Sequence, residues 1–158
     1  MSKRLGRCLK LVGPDWTGPT THARKDVRYA VGEVTMAPDW DPKPECGGGI
    51  HYAEGLDDWM PELGAGYHLI EGEPVGPTVR VIDYAGAKTK AEGWFTRREI
   101  VALLTPDQEP DAYVRWHVAE RIPVECLTAL LTPDQEPAAY VRRHVAQRRR
   151  QHRKTAGK

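Results

Sequence analysis

Residues 95–121 and 122–148 are near-copies of each other. FTRREIVALLTPDQEPDAYVRWHVAER is followed directly by IPVECLTALLTPDQEPAAYVRRHVAQR, with identity at 17 of 27 positions, no gap, and the run ALLTPDQEP intact in both. Chance does not produce such agreement. Each copy must therefore tolerate the other as its neighbour, as in any tandem repeat. A period of this length commonly marks a two-helix unit that stacks on the next one.

Local signals predict where those helices lie. Thr96 and Glu99 have the spacing of a capping box, so the first helix of the first copy should begin at Thr96. Pro123 suits the first turn of the equivalent helix in the second copy, where its missing N–H is no loss. Both helices should stop before Thr-Pro, because the residue preceding a proline is pushed out of the helical region. A second helix then follows Pro110 and Pro137, over residues 111–120 and 138–150. Val114 and Val118, like Val141 and Val145, lie four apart on one face and would pack on Leu103 and Leu104, or on Leu130 and Leu131.

The pattern A-Y-V-R-x-H-V-A-x-R at residues 112–121 and 139–148 resembles the second helix of HEAT-like and leucine-rich-variant helical repeats. That resemblance spans residues 95–148 and implies two stacked helical hairpins. Such arrays generally need three or more units. The uncovered apolar end of a pair should then rest on the first domain, on a second copy of the chain, or on another protein.

The rest of the chain has a different character. Residues 1–94 hold 14 of the 15 glycines and 8 of the 13 prolines, with 11 basic and 14 acidic side chains. Residues 95–158 hold 12 basic and 8 acidic side chains, so the halves carry −3 and +4 although the whole chain is only +1. Frequent Gly and Pro interrupt helices, which predicts short strands and long loops in the first half. Candidate strands are RCLKLV (7–12), VRYAVGEVTM (27–36), GYHLIE (66–71) and VRVIDY (79–84), with Trp16, Trp40, Trp59 and Trp94 supplying a thin core. The expected fold class is thus α+β: a small irregular β-rich domain over residues 1–94, two helical hairpins over 95–148, and a basic tail over 149–158.

Composition excludes several functions. No run of about 18 apolar residues exists to span a membrane as a helix. The basic N-terminus lacks the apolar region of a secretory signal, and three well-separated cysteines argue against a disulfide framework, which together point to a cytoplasmic setting. Ser2 is the only serine, so serine hydrolase chemistry is excluded. The three glycines before Ile50-His51-Tyr52 lack the Lys-Ser/Thr of a phosphate-binding loop, and no G-x-G-x-x-G follows a strand. No cofactor is implied.

Two candidate sites remain. Cys46 and His51, in PKPECGGGIH, could pair as nucleophile and base or ligate a metal. A structural zinc site would need two more ligands, and His22, His68 and Cys8 lack a recognised spacing. The alternative is a glycine-rich turn that buries a thiol and a hydrogen-bonded histidine. The stretch APDWDPKPECGGGIHYAEGL resembles a segment of uncharacterised actinobacterial and phage proteins, over residues 5–100, which implies no activity. Tyr29-x-x-Gly32 with Gly49-x-His51 is similar to the glycine-punctuated strands of ADP-ribosyltransferase-like folds, and that likeness implies a site built from His51, Tyr52, Glu71 and Glu73.

The second candidate is the basic end. Arg142, Arg143, Arg148, Arg149, Arg150, Arg153, Lys154 and Lys158 place eight cations in 17 residues with no acid among them. Such a concentration suits a nucleic-acid backbone. It equally suits a solvated helix end whose cations complement the helix dipole. Trp116, whose counterpart is Arg143, escapes the repeat and marks a candidate partner contact. His117 and His144, each beside a tyrosine four residues back, read as stacking positions between units. The reading that follows is a non-catalytic binding or adaptor protein contacting protein or nucleic acid, with self-association as a further option. An enzyme with an ADP-ribosyltransferase-like first domain, and a structural subunit of a larger assembly such as a phage particle, are the alternatives.

Overall fold

Strand pairing, rather than helix stacking, organises most of the chain. The structure is a computed structural model that describes residues 4–18, 26–55, 58–60, 67–127 and 130–157, with backbone alone at 4–7 and 55. The chain forms two units, Met1–Ile100 and Val101–Lys158.

The first unit contains five strands: β1 (Arg4–Val12), β2 (Val34–Met36), β3 (Ile50–Gly55), β4 (His68–Asp83) and β5 (Gly86–Glu99). All pair antiparallel in the order β2-β5-β3-β1-β4, and β4 also pairs with β5 along most of its length. Each of β1, β3, β4 and β5 therefore has a strand on both sides, and the sheet closes on itself. Residues 68–71 and 79–83 of the segments 66–71 and 79–84 enter one long strand, β4; Tyr67 and Tyr84 lie just beyond its ends, and Gly66 lies outside the described residues.

Trp94 on β5 sits at the centre, fully buried with Val12, Tyr29, Ile50, Tyr52 and Ile70. The Phe95 carbonyl oxygen and the Trp94 indole together leave no room for a side chain at residue 72. A Cβ on Gly72 would lie 2.8 Å from the Trp94 ring and would collide with the Phe95 carbonyl oxygen, at a point where the β4–β5 register shifts.

The second unit contains α1 (Ala112–Arg121), a 3-10 turn (Val124–Cys126) and α2 (Ala139–Ala156). The expected α+β chain with stacked helical hairpins is thereby overturned: the described residues show a five-stranded antiparallel sheet and two α-helices, and neither 27-residue copy forms a HEAT-like helical repeat. The supposed capping box lies in β5, where Thr96, Arg98 and Glu99 pair with Gly72, Glu71 and Ile70. Pairing with a distant strand outweighs a cap worth about 1 kcal/mol. In the second copy the described residues after Pro123 make a 3-10 turn, Val124–Cys126. A helix ending before Thr105 would span little more than two turns, too short to persist on propensity alone.

What the two copies share is a turn and one helix. The Glu109 amide donates to the Thr105 carbonyl at 2.9 Å, and Glu136 does the same to Thr132 at 2.9 Å. The carboxylate of Glu109 accepts from the Asp111 amide at 3.1 Å, and that of Glu136 from the Ala138 amide at 3.0 Å. Arg115 Nη1 donates to the Glu109 carbonyl at 2.7 Å, and Arg142 Nη1 donates to the Glu136 carbonyl at 2.6 Å. Arg115 also reaches into the next copy, where its Nε and Nη2 each donate to Glu136 at 2.8 Å, with both side chains buried. Val114, Val118, Ile122, Val141 and Val145 are wholly buried around this pair, with Leu103, Leu104, Leu127 and Leu130.

Candidate functional site

Cys46 and His51, five residues apart in sequence, meet at one cavity. It encloses about 370 Å³ in the sheet unit, within the size range of small-ligand pockets. Three backbone segments build it. Strand β1 supplies Leu9, Lys10 and Leu11; β3 supplies Ile50, His51 and Tyr52; and the glycine loop supplies residues 46–49. Lys88 of β5 and the hairpin residues Asp83, Tyr84 and Ala85 close another side, with Trp59 and Met60. Gly47, Gly48 and Gly49 have φ of 99°, 50° and 137°, left-handed values that side chains rarely adopt. At Gly48 a Cβ would also come within 2.8 Å of the Asp39 carbonyl oxygen.

Three ammonium groups lie at or behind the wall. Lys10, Lys88 and Lys90 are 6, 4 and 1% exposed. Lys10 Nζ donates to the His51 carbonyl at 2.8 Å and lies over the Tyr29 ring. Lys90 Nζ donates to the Gly47 carbonyl at 3.0 Å and lies over Trp40. Lys88 Nζ is 3.2 Å from Asp83 Oδ2, 3.5 Å from Cys46 Sγ, and above the Trp59 ring. Burial alone lowers the Lys10 pKa to about 8. His51 is pushed down to about 4, by burial first and then by Lys10, Lys88 and Lys90, so its ring is neutral near pH 7. Its Nε2 is buried without a hydrogen-bond partner among the described residues.

The other candidates of this unit lie elsewhere. Glu71 is held by Arg98 at 2.6 Å and Glu73 by Arg97 at 3.0 Å, and neither lines the cavity, whereas His51 and Tyr52 do. His68 hydrogen-bonds Glu99 at 2.6 Å and stacks on Trp16. His22 lies outside the described residues. No group of three or more His, Cys, Asp or Glu among the described residues could hold a metal ion. The three lysines escaped sequence reasoning. Lys88-Thr89-Lys90 places two cations on one face of a strand, and Lys10 stands between two leucines, but neither pattern says that the ammonium is enclosed.

The basic residues lie on α2, which continues to Ala156. At 100° per residue, Arg142, Arg143, Arg149, Arg150, Arg153 and Lys154 fall within an arc of about 140°, opposite buried Val141 and Val145. Arg143, Arg150, Arg153 and Lys154 are exposed, and with Arg149 they have no ion pair among the described residues. Arg148 is turned inward, donating to the Ala119 carbonyl and, at 3.0 Å, to the Ile122 carbonyl. Lys158 lies outside the described residues. Trp116 packs within its own unit, 5.3 Å from the His144 ring and 5.1 Å from His117. The rings of Tyr113 and Tyr140 lie 5.4 Å apart, tilted by 37°, and join equivalent positions of the two copies.

No protein-family model, no curated protein and no solved structure matches the chain. No helix among the described residues is long and apolar enough to cross a membrane.

Proposed function

We propose that the chain is a non-catalytic binding protein that engages nucleic acid through the outer face of α2. One observation carries this reading: the helix runs unbroken to Ala156, so cations that a frayed tail would scatter are aligned on one side. From Arg142 to Lys154 the helix rises about 18 Å, a distance over which a duplex presents several phosphates on each strand. Arg suits this role because its planar fork pairs with phosphate oxygens. Tyr140 is the only aromatic residue on α2, so contacts to base edges or stacked bases are few and the binding is weakly sequence-selective.

Fluorescence anisotropy of a labelled duplex and a labelled single strand, across a salt series, tests the proposal. The full chain should bind with a log–log salt slope of about −3 to −5. Replacing Arg149, Arg150 and Arg153 together by Gln, all outside the buried face, should flatten the slope by about 2 to 3. Binding that ignores salt, or that survives the triple substitution unchanged, overturns it.

A further inference from the structure

The cavity of the sheet unit has a chemistry that the basic helix does not share. We propose that it binds a small organic anion, whose phosphate or carboxylate head pairs with Lys10 and Lys88 and whose planar ring lies against the aromatic side chains beside them.

The charge pattern motivates this. On the cavity wall, Lys88 is matched by Asp83, but Lys10 has only the neutral His51 carbonyl oxygen as a hydrogen-bond acceptor among the described residues; Lys90, bonded to the Gly47 carbonyl, stands behind the lining. Buried ammonium groups ordinarily have a carboxylate or another anion beside them. Asp39, the other acid on the cavity wall, is exposed and bonded to none of the three lysines. An incoming anion supplies the missing counter-charge in a place where water competes weakly.

His51 adds a matching feature. It lines the wall with a neutral ring, so it adds no charge that would compete for the lysines. Tyr29, Tyr52 and Trp59 also line the wall, with Lys10 over Tyr29 and Lys88 over Trp59, so ring carbon and ammonium groups lie side by side there. Inorganic ions alone would leave that surface and most of the cavity volume unused.

Titration of the full chain with phenyl phosphate, benzoate, inorganic phosphate and benzyl alcohol, followed by tryptophan fluorescence and calorimetry, tests the assignment. At least one of the two ring-bearing anions should bind one-to-one with Kd below about 1 mM, and benzyl alcohol at least about tenfold more weakly. Tighter phenyl phosphate identifies a phosphate head, and tighter benzoate a carboxylate. Lys10→Met, which keeps the stem and removes the charge, should weaken binding of the better anion about tenfold or more. If that variant does not fold, Lys88→Met supplies the same comparison at the other side of the cavity. Equal binding of the anions and the alcohol, absence of binding by all four probes, or undiminished binding in a folded lysine variant overturns the proposal. None of these outcomes depends on whether α2 binds nucleic acid.

Discussion

Arg115 and its counterpart Arg142 offer an internal control that natural sequences rarely provide. They occupy the same place in the two copies and make the same bond to a glutamate carbonyl. Only Arg115 also forms a two-pronged ion pair, with Glu136, both side chains being at most 2% exposed. Removing one member of such a pair strands a buried charge, at a cost of about 3–5 kcal/mol. Removing the guanidinium of half-buried Arg142 forfeits one charge-assisted hydrogen bond, about 1.5–2 kcal/mol. Arg115→Met should therefore destabilise the second unit about twice as much as Arg142→Met, or more. Combined with Glu136→Gln, Arg115→Met should recover much of its loss, with an interaction energy of about 2 kcal/mol or more.

Urea unfolding of the full chain, followed by the helical circular dichroism signal, reads these differences for the unit that holds both helices. Acid adds a second check. Burial pushes the Glu136 carboxyl up, but the hydrogen bond from Arg115, the Ala138 amide and the charges of Arg115 and Arg142 outweigh it and hold the pKa below the ordinary value. The stabilisation is then complete above the unfolded pKa and is lost as pH falls through the lower folded value. The deficit of Arg115→Met should shrink in that acidic range. Equal losses for Arg115→Met and Arg142→Met near neutrality would refute the reasoning.

Other predictions concern the sheet unit. Lys10 keeps its proton to about 10.5 in the unfolded chain but releases it above about 8 when folded, so between those values the unfolded state binds more protons. Stability should rise with pH across that window by about 3 kcal/mol at most, and thermal melts of Lys10→Met should lack the rise. Above pH 10 the buried Tyr29 and Tyr52, whose pKa values are pushed upward chiefly by burial, oppose the gain. Gly72→Ala should cost at least about 2–3 kcal/mol because the added methyl meets backbone and indole together, and an unchanged midpoint in near-ultraviolet melting would contradict the Trp94 packing. The Gln substitutions on α2 should alter nucleic-acid binding while leaving the melting midpoint nearly unchanged, as surface changes usually do.

Legibility in the sequence followed sequence distance. The helices after Pro110 and Pro137 could be located because their signals are local: prolines set their starts, and valines four apart mark the buried face. They were observed at Ala112–Arg121 and Ala139–Ala156. The preceding segments mislead because Thr96 and Glu99 satisfy a local pattern while their partners, Gly72 and Ile70, lie 24 and 29 residues earlier. Strand β5 gave little warning of its central place, since GAKTKAEGWFTRRE is mostly polar and its lysines are buried by tertiary contacts alone. The cavity divides in the same way. Cys46 and His51 stand out within ECGGGIH, whereas Lys10 and Lys88, about forty residues away on either side, join them only through the β1–β3 and β3–β5 pairings. The Arg115–Glu136 pair left a visible trace, a glutamate and an arginine at matching places in both copies, but only coordinates reveal that the bond crosses from one copy to the next.

That crossing bond makes the duplicated segment modular. Each copy carries the acid that greets its predecessor and the base that reaches for its successor, so one joint is complete and one donor is left over at the trailing end. What differs is the exit: α1 stops at Arg121 before Ile122-Pro123, whereas α2 runs on past the equivalent Arg148 to Ala156, so the second copy spends its trailing end on an extended helix rather than on another joint.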